Sequence, residues 1–461
     1  MLSSRLAIVL SACAYFIMVL MSYALVESVL YKEIHFEYVE LSAAIQVLIA
    51  VMAVAPALWL PKRTERPSHV ALWMLYATVM VPSMLLPFHI SIRPVEEIVL
   101  FCGFLQGLFA LLFLIVQLPV WQLSLPKIRQ GPLLATLIFI AFFLMILIAQ
   151  TAGFHINLSL ENIYDRRLDA RQVVQGGAFS AYAIVMLSHS LSPILFGYGI
   201  VERNAAAICT GILGILCTFS LAGSKSELSS LPMMLGVLVL VSQGRKTPSL
   251  YFILGGTGLV LASMLQFLVL GRNDISVYFV RRVIFLPGLM SSVYWDFFSQ
   301  NPHIWYRDSF LRWLGDSPYS LPMARLIGEA YFHSHESNAN GNLWASGYGH
   351  SGYLGMFVAT LLLGWTLRII DSLSITCGFR LVVMMTALFS IGWSNGSVET
   401  SMLSYGVLPS LVIFSLLRMR DAEPMTIGNE NQFAGHMLSP PYRPPRPRHE
   451  AAVRPRVKHV A

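Results

Sequence analysis

The chain has 461 residues, of which 56% are hydrophobic and only 12% charged. A soluble domain carries about 25% charged residues. The deficit, with apolar runs of about 20 residues recurring along the chain, excludes soluble, fibrous, secreted and nucleic-acid-binding classes. It also excludes a transmembrane barrel, whose strands alternate. The expectation is an all-α polytopic membrane protein. The net charge is +7, but six basic residues sit in the last 19 positions, so a tail carries much of it. The five cysteines, Cys13, Cys102, Cys209, Cys217 and Cys377, lack metal or disulfide spacing and read as small core residues.

Hydropathy predicts about twelve transmembrane helices, near 6–26, 41–60, 70–88, 97–120, 132–152, 177–200, 205–222, 228–242, 249–270, 347–367, 380–395 and 402–417. The first reads as a signal anchor, because no small-residue cleavage site follows it. Lys and Arg set the orientation. With the N-terminus in the cytoplasm, the inner loops hold Lys62, Arg63, Arg66, Lys127, Arg129, Arg203, Arg245, Lys246, Arg368, Arg380, Arg418 and Arg420. The short outer loops hold Lys32, Arg93, Arg166, Arg167, Arg171 and Lys225. Twelve spans place both termini in the cytoplasm. Residues 1–418 form the membrane domain. Residues 419–461 are a basic, Pro-rich tail that cannot bury enough apolar surface to fold.

One connection is large enough to carry chemistry, the external loop 272–346. Inner loops are short, and no GxxxxGK[ST] or strand-borne GxGxxG run binds a nucleotide. The work is therefore placed at the outer face. In the loop, Phe279, Val283, Leu286, Met290, Val293 and Phe297 recur on one helical face. Pro287 and Gly288 are expected to break that helix in two. With Arg281, Arg282 and Asp296 flanking it, the stripe predicts an interfacial helix, either capping the bundle or turning its arginines to lipid phosphate. His333 and His335, two apart, suit a strand side rather than a helix face. With Glu336 they fall short of a metal set and suit a proton relay or ordinary loop contacts. Lys225 opens the eighth helix, where it forms an anion site or snorkels. No Asp, Glu, Lys or Arg falls clearly inside a span, which argues against a coupled transporter; His189 and His350 are the titratable exceptions.

Three stretches carry a resemblance: RRVIFLPGLMSSVYWDFFSQNP (281–302), NANGNLWASGYGHSGYLGM (338–356) and LAGSKSEL (221–228). Together with the architecture of residues 1–418 they resemble the Wzy-type oligosaccharide repeat-unit polymerases, the O-antigen and exopolysaccharide polymerases of bacterial inner membranes. The resemblance implies the fold of the metal-independent integral-membrane glycosyltransferases. It implies undecaprenyl-pyrophosphate-linked repeat units as substrates, no cofactor and no nucleic acid. It also implies a flippase and a chain-length regulator as partners in the same membrane. The turn carries Lys225 where the family has Arg, and a Lys cannot grip a phosphate bidentately.

On that reading the pyrophosphate leaving group needs preorganised cations. Arg282 comes first, then Arg281, Lys225 and Arg325. His335, His333, Glu336 and Asp296 are the candidates for taking the acceptor proton. Asn338, Asn340 and Tyr348 contact sugar hydroxyls or cap the tenth helix. An O-antigen ligase, using the same donor with a different acceptor, is the nearest alternative. A lipid-linked glycan flippase would lack the large loop and show repeated halves, and a scaffold would not need external Arg and His together.

Overall fold

The structure, a computed structural model, describes residues 2–121, 123, 128–152, 178–222, 225–242, 248–308, 313, 315–333 and 338–419. Two compact units divide the chain, 1–423 and 424–461. The second unit, most of the predicted tail, lies outside the described residues, as do His335, Glu336 and the loop 153–177.

The described residues are helical, with no strands. In hydrocarbon every backbone N–H and C=O must be satisfied internally, and a helix does this within one segment. Helices occupy each of the twelve predicted stretches. Eight described helices, or nine counting a bent pair, are long and apolar enough to cross a membrane. The chain is a polytopic membrane protein. Burial separates a centre from a periphery. Pro67–Ile90 is 89% buried, whereas Ser249–Leu270 is 22% and Gln130–Gln150 28% buried. The peripheral pair turns Leu and Phe side chains such as Leu265 and Phe139 outward, as lipid-facing helices do.

Hydrogen bonds define the two ends of the bundle. At one end Arg5 donates to the carbonyls of Ala57 and Leu60, Arg66 to those of Val116 and Leu118, and Arg368 to that of Pro119. Ser249 joins Pro61, and Arg418 joins Gln130. These are loops predicted to share the cytoplasmic side, and we call this the basic end. The opposite, loop end gathers residues 27–39, 89–97, 294–308, 319–333 and 338–350, joined by contacts such as His35–Tyr331, Val39–His89, Ser91–Asp296 and Trp305–His350.

Three departures from the sequence reading shape the loop end. Pro287 does not break its helix. A π-helix, Ser276–Phe285, runs directly into an α-helix, Leu286–Phe298. Pro287 falls where π-helical pairing gives way to α-helical, and such a local adjustment accommodates a residue that lacks an N–H. Gly288 lets the backbone approach Pro82: a Cβ there would lie 2.7 Å from the Pro82 carbonyl carbon. This 23-residue element is also no surface helix. Leu289, Met290, Val293, Tyr294 and Trp295 are all buried. Ser276 donates to Glu27 at 2.7 Å, and Ser91 donates to Asp296 at 2.8 Å. Glu27 and Ser91 both sit at the loop end, so the element lies across that end instead of running through the bundle.

Second, the tenth predicted span is a helical hairpin. Leu343–Cys377 contains non-helical backbone at Ser351 (φ −152°) and Gly352 (φ +62°). In a straight helix residues eight apart lie about 12 Å apart along the axis. Here a Cβ on Gly355 would meet the Gly347 carbonyl oxygen at 1.9 Å. Trp344 Nε1 donates to Thr360 Oγ1 at 3.0 Å. The segment 343–350 therefore folds back, antiparallel, on the helix that follows. Residues 338–342 dip into the bundle to start it. Asn342, fully buried, caps the helix by accepting from the amides of Trp344 and Ala345 at 2.9 and 3.0 Å. Its amide donates to the Pro287 carbonyl and Ser291 hydroxyl at 2.8 and 2.7 Å. The capping role predicted for Asn338 or Asn340 belongs to Asn342.

Third, helices extend past the predicted spans and carry charges at their ends, at both faces of the bundle. Glu27 is fully buried in Arg5–Leu30. Arg368 and Asp371 belong to Leu343–Cys377. Asp371 accepts from the Ser68 amide and hydroxyl at 2.9 and 2.6 Å, and the Arg368 guanidinium lies 4.0 Å from the Trp121 ring centre.

Candidate functional site

The fold-back helix, the transverse helix and the connection before Val398–Ser404 enclose a cavity of about 240 Å³ at the loop end. Its wall is polar and aromatic. Ser346 and His350 come from the fold-back helix, Tyr294 from the transverse helix, Asn395 from the last connection, and Glu399 and Thr400 from the helix Val398–Ser404 that follows it. Asp308, Met323 and Ala324 close it from the long loop.

His350 and Glu399 are its centre. The imidazole Nε2 lies 3.1 Å from a Glu399 carboxylate oxygen. His350 is 3% exposed, and its Nδ1 has no hydrogen-bond partner. That Glu399 oxygen, Oε1, likewise makes no hydrogen bond, so the two groups face one another at ion-pair distance and not through a directed hydrogen bond. Glu399 stands in the first turn of Val398–Ser404, whose N-cap is Ser397, and a helix start favours a negative charge.

The loop 304–306 clamps this pair. Ile304 donates to the Gly349 carbonyl and Trp305 to the His350 carbonyl at 3.1 and 2.8 Å. The Tyr306 ring stacks on the His350 imidazole, 4.0 Å between centres and 20° between planes. Trp305 and Tyr306 both adopt positive φ, 55° and 59°. Two bulky residues in succession rarely hold that conformation, and such strain gathers at functional sites. Burial, and secondarily the charge of Glu399, pushes the Tyr306 hydroxyl up to about 12, so it stays protonated throughout the physiological range. Tyr294 donates to the Ala339 carbonyl and accepts from the Gly341 amide, pinning the dipping segment. Asp308 accepts from the Met323 amide through one oxygen, while its other oxygen, Oδ1, is buried without a partner.

The sequence candidates distribute unevenly around this cavity. Asn340 lines it, and Arg325 is exposed one residue beyond the lining residue Ala324. Asn338 and His333 are exposed, and His333 closes Met323–Phe332 in a left-handed conformation, φ 49°. Tyr348 is buried elsewhere, with its hydroxyl 3.3 Å from Ser299 and its ring against His303. Asp296 lies two residues from Tyr294 but is engaged by Ser91, with Arg93 at 3.8 Å. Arg281 sits over the Tyr31 ring at 4.3 Å. Arg282 is exposed on the transverse helix, three turns from Tyr294. Lys225 opens the helix Lys225–Ser242.

Sequence reasoning missed Glu399, Tyr306 and Asp308, and treated His350 only as a titratable residue inside a span. Nothing in spacing links residues 306, 308, 350 and 399. The one available signal was a His beside glycines in 347–355. Among the described residues, no three His, Cys, Asp or Glu side chains gather as a metal site would require. Compared with known protein families, curated proteins and solved structures, the chain finds no match.

Proposed function

We propose that this protein is a membrane glycosyltransferase that polymerises undecaprenyl-pyrophosphate-linked oligosaccharide repeat units at the outer face of the bacterial inner membrane. The observation that carries the reading is the loop-end cavity, which joins a partnered His350–Glu399 couple to hydroxyl, amide and aromatic side chains. Such side chains suit a sugar, which offers many hydroxyl donors and acceptors and apolar ring faces.

The chemistry follows from the groups present. The acceptor hydroxyl attacks the anomeric carbon of the donor glycan. The bond from that carbon to the phosphate oxygen breaks, and its electron pair leaves on the lipid diphosphate. The hydroxyl proton passes to His350 Nδ1, and Glu399 stabilises the imidazolium so formed. Arg325 and Arg282, both exposed on helices of the same end, neutralise the charge developing on the leaving group. Attack opposite that group inverts the anomeric centre.

The decisive experiment deletes the gene in its host and resolves the surface glycan on a gel. A ladder reduced to single repeats supports a polymerase. Loss of all attached glycan makes it a ligase, and accumulation of lipid-linked units on the cytoplasmic side makes it a flippase.

A further inference from the structure

We infer that the cavity receives the sugar of the acceptor glycan, with Asp308 accepting a hydrogen bond from a hydroxyl or amino group of that sugar, while the donor's diphosphate stays outside. This rests on the polymerase reading and adds to it which half of the substrate pair occupies the cavity, and which residue reads it.

The charge of the wall is the first argument. Among the described residues, none that line the cavity is Lys or Arg, whereas Asp308 and Glu399 both do. A diphosphate placed between two carboxylates is repelled by both, and among the described lining residues there is no cation to balance it. A neutral or amino sugar meets no such repulsion. The second argument is the polar inventory. Asp308 Oδ1 is buried and has no partner. A buried carboxylate oxygen left unpaired is costly, and an ionised carboxylate can only accept hydrogen bonds. What satisfies it must be a donor, and a sugar supplies several. The carboxylate does not swing freely, since its other oxygen accepts from the Met323 amide at 3.3 Å.

Size and placement agree. At about 30 Å³ per water, 240 Å³ holds roughly eight waters, room for at least one sugar ring. His350 lines the same cavity, so a sugar seated on Asp308 is held in the same space as the base. Exposed Arg325, adjoining Ala324 in sequence, leaves a cation at the rim for the diphosphate. The acceptor is thereby read by hydrogen bonds and the donor by charge.

The test uses membranes carrying the full-length protein and lipid-linked repeat units extracted from a strain that lacks it. Polymer formation is measured against two competitors: the free repeat-unit oligosaccharide released by mild acid, and inorganic pyrophosphate. Asp308→Asn should raise the half-inhibitory concentration of the oligosaccharide about ten- to a hundred-fold, the loss of one hydrogen bond to a charged group. The value for pyrophosphate should stay unchanged, and Arg325→Ala should show the reverse. Asn340→Ala, which leaves the Met323 contact intact, should move the oligosaccharide value in the same direction by a smaller factor. N-acetylating the oligosaccharide weakens its inhibition of the wild type if an amino group is the donor and leaves it unchanged if a hydroxyl is. An unmoved oligosaccharide value in both Asp308→Asn and Asn340→Ala, with normal wild-type polymer, overturns the inference alone. So does a shift confined to pyrophosphate. Absence of polymer from wild-type membranes removes the polymerase reading and the inference with it.

Discussion

The two ends of the bundle use charged residues in opposite ways. At the basic end, Arg5, Arg66 and Arg368 are spent on backbone carbonyls, and Asp371 is spent on a backbone amide and a hydroxyl. They tie helix ends together, satisfying groups a helix cannot satisfy within itself. At the loop end, His350, Glu399 and Asp308 face a cavity, and each keeps an atom without a hydrogen bond; Arg368 at the basic end also keeps its Nε unpaired, but it lines no part of that cavity. One end ties helix ends together, and the other leaves charged groups around a cavity. A charge in a membrane protein therefore carries little functional meaning until its partner is known.

The comparison breaks outright if the ends face the wrong way. In a cysteine-free background, a cysteine at Asn301 should react with a membrane-impermeant thiol reagent in intact spheroplasts, and one at Glu65 should not. Both positions are exposed. The reverse pattern would place the cavity in the cytoplasm and end the outer-face reading.

Next in size, His350→Gln should lower polymer formation about a hundred-fold or more, the lower part of what a positioned acid–base group contributes. The protein should remain in the membrane at its normal level. Glu399→Gln should act alike, because the imidazolium loses its counter-charge. Wild-type ladders from stable His350→Gln would show that the pair is structural, like the charges of the basic end.

Arg325→Ala and Arg282→Ala should each slow polymerisation about ten- to a hundred-fold, and Lys should restore little at either position, if the guanidinium forks grip phosphate. Arg325, beside the cavity wall, should show the larger loss. Equal and negligible losses would move diphosphate binding elsewhere on the loop end.

Arg368→Ala tests the opposite end. It removes a charged hydrogen bond to the Pro119 carbonyl and the stacking on Trp121, about 2–3 kcal/mol together. Thermal unfolding in detergent should shift down, while activity per folded molecule is kept. A loss of activity without a loss of stability would mean that the basic end also takes part in the reaction.

The smallest effect belongs to Tyr306. Its hydroxyl, held protonated by burial, is no candidate for taking the acceptor proton. Tyr306→Phe should keep both rate and pH profile within about two-fold, the ring being what stacks on His350. Tyr306→Ala should cost more. A changed alkaline limb in Tyr306→Phe would give the hydroxyl a part in proton transfer.

The sequence alone determined the helices and their grouping. Long apolar runs can only be helices in lipid, and the segments around Arg5, Arg66, Arg368 and Arg418, predicted to share one side, are tied together at one end of the bundle. Tertiary structure decided whether each helix runs through the bundle, across its end or back on itself. The stretch 276–298 reads as an amphipathic surface helix, yet the Gly288–Pro82 approach and the Ser276–Glu27 and Ser91–Asp296 bonds lay it across the bundle. The stretch 347–367 reads as one span after an external loop, yet residues 343–377 are helical and Gly347, Gly352 and Gly355 let them fold back. The candidate site was legible only at its edges, in Asn340 and Arg325. His350 and Glu399 are 49 positions apart and lie on helices whose periodicity describes only their own faces. Their meeting depends on the hairpin, and a hairpin of two touching glycine backbones leaves no hydropathy signal, because the fold-back arm, LWASGYGH, is short and polar enough to read as loop running into the span.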